Sequence, residues 1–139
     1  MLSTIKVERL QINFKTLEQF QKFAGYGLQE LSMLEDLESN LIDNEFQSPF
    51  YGIYIGNALV ARMSLYLHKN DELMKDTCYE INKMEVLPFY QKNNYGTELV
   101  KFAKSLNLPI KTIPRANSNE FWKKQGFGET DGEYVVWRQ

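Results

Sequence analysis

Residues 80–103 read EINKMEVLPFYQKNNYGTELVKFA, and this stretch decides the fold. From Thr77 to Leu87 the run TCYEINKMEVL has strand-like content, and Pro88, which has no N–H to give to a ladder, brings it to an end. A polar turn holding Asn94 and Gly96 then opens directly into a helix running from near Tyr95 to Leu106. Leu99, Phe102, Ala103 and Leu106 share the apolar face of that helix, and Asn107 can cap its end. The first helical N–H groups have no intrahelical acceptors, and the helix dipole adds partial positive charge at the same place. A phosphate satisfies both. The same pattern also describes an ordinary strand-to-helix turn that binds nothing.

Upstream, FYGIYI (50–55), the turn signal Gly56-Asn57 and ALVARMSLYL (58–67) predict a β-hairpin, with HKNDELMKD (68–76) as the next connection. Ile5, Val7, Leu10, Ile12 and Phe14 predict a first strand with a bulge after Val7. TLEQFQKFA then predicts a helix N-capped by Thr16, with Leu17, Phe20 and Phe23 on one face. A second amphipathic helix is expected over Leu28–Leu41, carrying Leu31, Leu34, Leu37 and Leu41. Downstream lie a strand at PIKTI (109–113), a helix over Ser118–Gln125, a Gly126-Phe127-Gly128 break and a last strand at EYVVWR (133–138). The order βααββ followed by βαβαβ, with no repeat or linker, reads as one α/β (α+β) domain over residues 1–139.

A chain of 139 residues, 43% hydrophobic and 24% charged, suits one domain with a continuous core. A formal charge of −2 gives no global attraction to nucleic acid or to an anionic membrane, so any anion site is local. Cys78, the only cysteine, excludes an internal disulfide and a multi-cysteine zinc site, and no metal is expected. Charges at Lys6, Glu8, Arg9 and Lys15 interrupt any signal-peptide core, and no apolar run is long enough to span a bilayer; the expected location is the cytoplasm.

With Gln91, Asn94 and Gly96 the turn resembles the acetyl-CoA loop of the GNAT superfamily, in which Asn94 stands for the loop's first glycine. Asn enters left-handed backbone geometry more readily than most residues. MEVLP (84–88) resembles the end of the family's central strand, and NEFWKKQGF (119–127) resembles its later Gly-Phe segment. The resemblance implies a mixed, mostly antiparallel sheet flanked by helices, with a strand pair splayed for coenzyme A. It implies that backbone groups of Met84, Glu85, Val86 and Leu87 bond the pantetheine and the acyl carbonyl. Gln91, Lys92, Asn93, Asn94, Tyr95, Gly96 and Thr97 would cradle the pyrophosphate, and Asn117, otherwise an N-cap, would reach the pantetheine chain. Trp122, counted with this cofactor-binding set, stands where many members carry a thiolate-protonating Tyr, a role an indole cannot fill.

Glu80 lies six residues before Val86, the spacing at which histone-type members carry a general-base glutamate. A solvent-facing strand glutamate is the equal alternative. Tyr51, Tyr54, Tyr90 and Tyr95 read as packing residues and Cys78 as a core thiol; His68, at a strand end, reads as a lone surface histidine, with a proton shuttle as the alternative. Lys101, Lys104, Lys111, Arg115, Lys123 and Lys124 give the second half a basic bias that suits CoA phosphates and equally an ordinary helix surface. The implied activity is transfer of acetyl from acetyl-CoA to a primary amine of a small molecule or peptide. The alternatives are a non-catalytic acyl-CoA-binding or sensing module and a nucleic-acid-binding domain, the latter opposed by the net charge. The acceptor is not identified, and monomer and homodimer both remain open.

Overall fold

The computed structural model describes residues 5–24, 48–91, 93–115 and 118–139. The expected helix over Leu28–Leu41, Lys92 and Asn117 lie outside the described residues. Among the described residues one sheet of seven strands has the order β1-β2-β3-β4-β5-β7-β6. The chain divides into two compact units, Met1–Ser64 with Lys83–Leu99 and Leu65–Asn82 with Val100–Gln139.

The first unit holds β1 (Val7–Arg9), α1 (Phe14–Ala24), β2 (Phe50–Ile55) and the first half of β3 (Ala58–Asp71). It also takes the end of β4 (Asp76–Val86) and the start of α2 (Tyr95–Lys104). β1 pairs antiparallel with β2, and β2 antiparallel with β3. Leu87 N–H meets Val60 O while Lys83 N–H meets Ser64 Oγ, a register that falls in one strand as it rises in the other, so β3 and β4 are antiparallel here. The expected hairpin forms with Gly56 in its turn at φ +61°, a left-handed position that costs glycine little. Leu10, Phe20, Phe50 and Leu59 form the core, with the Phe20 and Phe50 rings edge to face at 5.5 Å. Gly52 is required by close approach, since a Cβ there would lie 2.6 Å from Leu59 Cδ1 and 2.9 Å from Ala61 O.

The second unit contains the end of β3, the start of β4, the end of α2, β5 (Ile110–Thr112), α3 (Asn119–Lys124), β6 (Gly128–Glu129) and β7 (Val135–Trp137). β5 pairs parallel with β4 and antiparallel with β7, which in turn pairs antiparallel with β6. Met74, Cys78, Ile81, Val100, Ile110 and Trp122 are among its buried residues.

Three expectations are corrected. The first strand is only Val7–Arg9, because Asn13 Oδ1 accepts the Thr16 N–H and starts α1 at Phe14; Asn13 is the cap, not Thr16, and Phe14 is 79% exposed. β3 continues through His68 to Asp71, so only a short turn separates it from β4, closed by the Lys75 N–H on Asp71 O. A 3-10 turn at Pro88–Tyr90 and the two-residue β6 were not foreseen. They are too short to leave a periodic signal.

Candidate active site

The loop after β4 is held by its own side chains. Gln91 Nε2 donates to Val86 O at 3.0 Å, and Asn93 Nδ2 reaches Tyr90 O at 3.4 Å. Asn94 has φ +66°, the left-handed geometry expected of the residue standing for a glycine. Its carbonyl accepts the Glu98 N–H at 3.0 Å, the first turn-closing bond of α2, so the N–H groups of Tyr95 and Gly96 precede any intrahelical acceptor. The Tyr90 and Tyr95 rings lie 6.2 Å apart.

β4 changes its backbone phase between Ile81 and Lys83. Tyr79 N–H donates to Pro109 O and Ile81 O accepts from Thr112 Oγ1, so both residues face β5. Lys83 and Leu87 direct their N–H groups to β3 instead. Backbone groups alternate sides along a strand, so residues of one parity can switch sides only through an irregularity. Beyond it Met84 and Val86 present their backbone groups away from β3. Of the four residues expected to meet a ligand by backbone groups, Glu85 and Leu87 face β3, and the Leu87 N–H is already committed to Val60 O at 2.9 Å. The Glu85 side chain is bound to Arg62 Nη2 at 3.0 Å.

In the second unit, Glu80 and Lys111 are register partners on parallel strands, and Tyr134 lies two residues before Val136, the partner of Lys111 on β7. All three point to one face of the sheet. There they form a polar network with the end of β3. His68 Nε2 is 2.9 Å from Glu80 Oε1, and Lys111 Nζ donates to Asp71 Oδ1 at 2.7 Å. Lys111 Nζ also stands 4.5 Å from the centre of the Tyr134 ring. Burial first, then the Glu80 charge, raises the Tyr134 pKa, which keeps the phenol a donor. Burial lowers the Lys111 pKa, but the Asp71 hydrogen bond, Tyr134 and the Asp71 and Glu80 charges outweigh it and the net shift is upward. The hydrogen bond from Lys111 lowers the Asp71 pKa despite burial. A cleft of about 340 Å³ runs beside Tyr134, with Ile113, Pro114, Glu129 and Glu133 among its walls.

Glu80 is therefore neither solvent-facing nor isolated: its side chain is 12% exposed and bonded to His68. His68 is not a lone surface histidine, and Lys111 is a buried ion-pair partner rather than part of a basic surface. Asp71, Lys111 and Tyr134 were missed as site residues. The period of two along β4, β5 and β7 could have placed Glu80, Lys111 and Tyr134 on one face once the strand order was known. Trp122 is buried, its ring edge-on to Phe121 and Phe127 at 5.0 Å each. Cys78 is a buried free thiol, its pKa raised chiefly by burial. Tyr54 donates to Gln19 Oε1 at 2.7 Å, as a packed residue of the first unit.

A strand running into a left-handed loop and a helix N-terminus is the arrangement that the sequence resemblance implied; the phase shift within β4 was not foreseen, and comparison with known proteins decides the family. The model of the acetyltransferase (GNAT) family matches residues 14–127. The chain belongs to that family. It is 61% identical over 127 residues to an uncharacterized N-acetyltransferase of Bacillus licheniformis, covering 88% of this chain and 80% of the relative. A second uncharacterized N-acetyltransferase, from Bacillus mycoides, is 52% identical over 138 residues, covering 95% and 88%. Among solved structures, the Bacillus subtilis N-acetyltransferase YlbP in complex with coenzyme A matches with a TM-score of 0.78 at 49% identity, covering 98% of this chain and 97% of that one. This GNAT chain is thus an acetyltransferase with the family's mixed, mostly antiparallel sheet. No helix among the described residues is long and apolar enough to cross a membrane.

Proposed function

We propose that this chain, acting as one catalytic domain in the cytoplasm, transfers the acetyl group of acetyl-CoA to a primary amine of a small molecule or peptide. The observation that carries the reading is the Glu80 carboxylate, bonded to His68 on the strand that leads into the phosphate-type loop. Asn94 in left-handed geometry turns the chain so that the N–H groups of Tyr95, Gly96 and Thr97 meet the pyrophosphate, while Gln91 and Asn93 brace the loop from within. Lys92 adds positive charge, and Asn117 contacts the pantetheine. Met84 and Val86 offer the backbone groups that bond the pantetheine amides. Bound acetyl-CoA supplies an activated thioester. Glu80 accepts the proton that the acceptor amine must lose to become a nucleophile. Trp122 packs between Phe121 and Phe127 and moves no proton. The chain acts as a monomer or a homodimer.

Titration calorimetry with acetyl-CoA, together with thiol release across an amine panel, tests the reading. Glu80→Gln is expected to lower kcat by about 100-fold while leaving the acetyl-CoA affinity within about threefold. Acetyl-CoA binding without thiol release for any amine would favour the binding-module reading instead. Absence of binding would remove both.

A further inference from the structure

Acetylating a protonated amine exports a proton. An ammonium and a thioester become an amide, a free thiol and one H⁺, so a general base that keeps its proton stops after one turnover. Glu80 is 12% exposed, whereas His68, bonded to its Oε1 at 2.9 Å, is 39% exposed. The other groups facing Glu80 cannot take a second proton. The Tyr134 phenol, its pKa raised by burial and by the Glu80 charge, already carries its proton, and the Lys111 ammonium, paired with Asp71, has no acceptor site. The His68 ring has two nitrogens, so it can take a proton at one and release one from the other.

We propose that His68 is the proton outlet of the site, receiving from Glu80 the proton taken from the acceptor and releasing it to solvent. The proposal rests on the reading of Glu80 as general base. The N–H bond of the ammonium breaks as an O–H bond forms on Glu80. While Glu80 is ionised, His68 Nε2–H donates to Oε1. Once Glu80 is protonated, exchange with solvent moves the ring proton from Nε2 to Nδ1. The Glu80 O–H bond then breaks as its proton passes to the freed Nε2, and the imidazolium loses its Nδ1 proton to water, which restores the starting Nε2–H tautomer. No electron changes hands. His68 acts through Glu80 and is a positioning and relay residue.

His68→Gln keeps a hydrogen-bonding partner for Glu80 but cannot titrate. With an accepted amine in dilute, bulky buffer, its kcat is expected to fall about tenfold or more, and added imidazole is expected to restore it saturably. KM for acetyl-CoA should stay within about twofold of wild type. Undiminished kcat, or a loss that imidazole does not restore, overturns the relay. Because His68 is the only histidine of the chain, its ring nitrogens give unique NMR signals, a readout that needs no turnover. Glu80→Gln should shift the Nε2 resonance and the tautomer balance, and unchanged signals overturn the pairing. A wild-type protein that acetylates no amine would overturn the general-base reading and the relay with it. An active wild type with an equally active His68→Gln would overturn the relay alone.

Discussion

Arg62, buried in β3, holds the Glu85 carboxylate at 3.0 Å while its guanidinium lies 4.6 Å from the centre of the Phe20 ring. This pair ties β3 to the end of β4 just before the loop that opens α2. Removing one partner of a buried pair leaves a charge that water does not reach, at a cost of roughly 3–5 kcal/mol. Glu85→Ala should therefore lower stability by about that amount in urea unfolding. Phe14→Ala, at a side chain that is 79% exposed, should stay within about 0.5 kcal/mol of wild type. Equal midpoints for the two variants would refute the assignment of the pair as a structural tie.

The Asp71–Lys111 pair makes stability depend on pH at both ends. Asp71 is depressed in the folded state, so its contribution is present above the unfolded carboxylate value of about 3.9 and is lost as pH falls through the lower folded value. Lys111 is raised, so its contribution is complete below about 10.4 and is lost as pH rises through the higher folded value. Asp71→Asn should flatten the acid limb of the stability profile and destabilise the neutral plateau by roughly 3–5 kcal/mol. Unfolding midpoints followed by circular dichroism across pH check both effects. An unchanged acid limb would show that other carboxylates set it.

The loop and the strand before it were legible in the sequence because their signals are local. Pro88 ends a strand, Asn94 and Gly96 mark a turn, and Leu99, Ala103 and their neighbours repeat at helical spacing. Asn94 at φ +66° fits what a glycine substitute must do. The polar network was not legible. Glu80, Lys111 and Tyr134 come from three separate strands, and their meeting depends on β5 lying between β4 and β7, which no short window encodes. His68 and Asp71 were hidden for another reason. HKND has the polarity of a loop, yet β3 carries it as strand because hairpin pairing outweighs local propensity. At Asn13 the error was one of competing caps: both Asn13 and Thr16 are good N-cap residues, and the side-chain bond of Asn13 to the Thr16 N–H decided the start of α1.

Asn94 gives a backbone test of the loop. Left-handed geometry costs an ordinary L-residue roughly 1–2 kcal/mol, whereas glycine pays almost none of it. Asn94→Gly should leave stability near wild type and keep acetyl-CoA affinity within about threefold. Asn94→Ala should destabilise by about 1 kcal/mol and weaken acetyl-CoA binding more than Asn94→Gly does. Calorimetry on the two variants separates loop geometry from side-chain contact: an equal loss in both would point to the asparagine side chain as the contributor.

Trp122 separates packing from chemistry. Its side chain is 6% exposed and wedged between Phe121 and Phe127, so its bulk matters to the second unit. Truncation to Ala should cost about 3–5 kcal/mol, the range for a large aromatic removed from a core. Trp122→Phe keeps most of the ring area but removes the indole N–H. If the residue moves no proton, this variant should retain kcat within about threefold and leave the pH–rate profile in place, despite a modest loss of stability. The conclusive measurement is kcat against pH at saturating acetyl-CoA for wild type and Trp122→Phe. A 100-fold loss in a folded Trp122→Phe protein would place the indole N–H at the reacting atoms, and leaving-group stabilisation would then have to run through a hydrogen bond rather than a proton transfer.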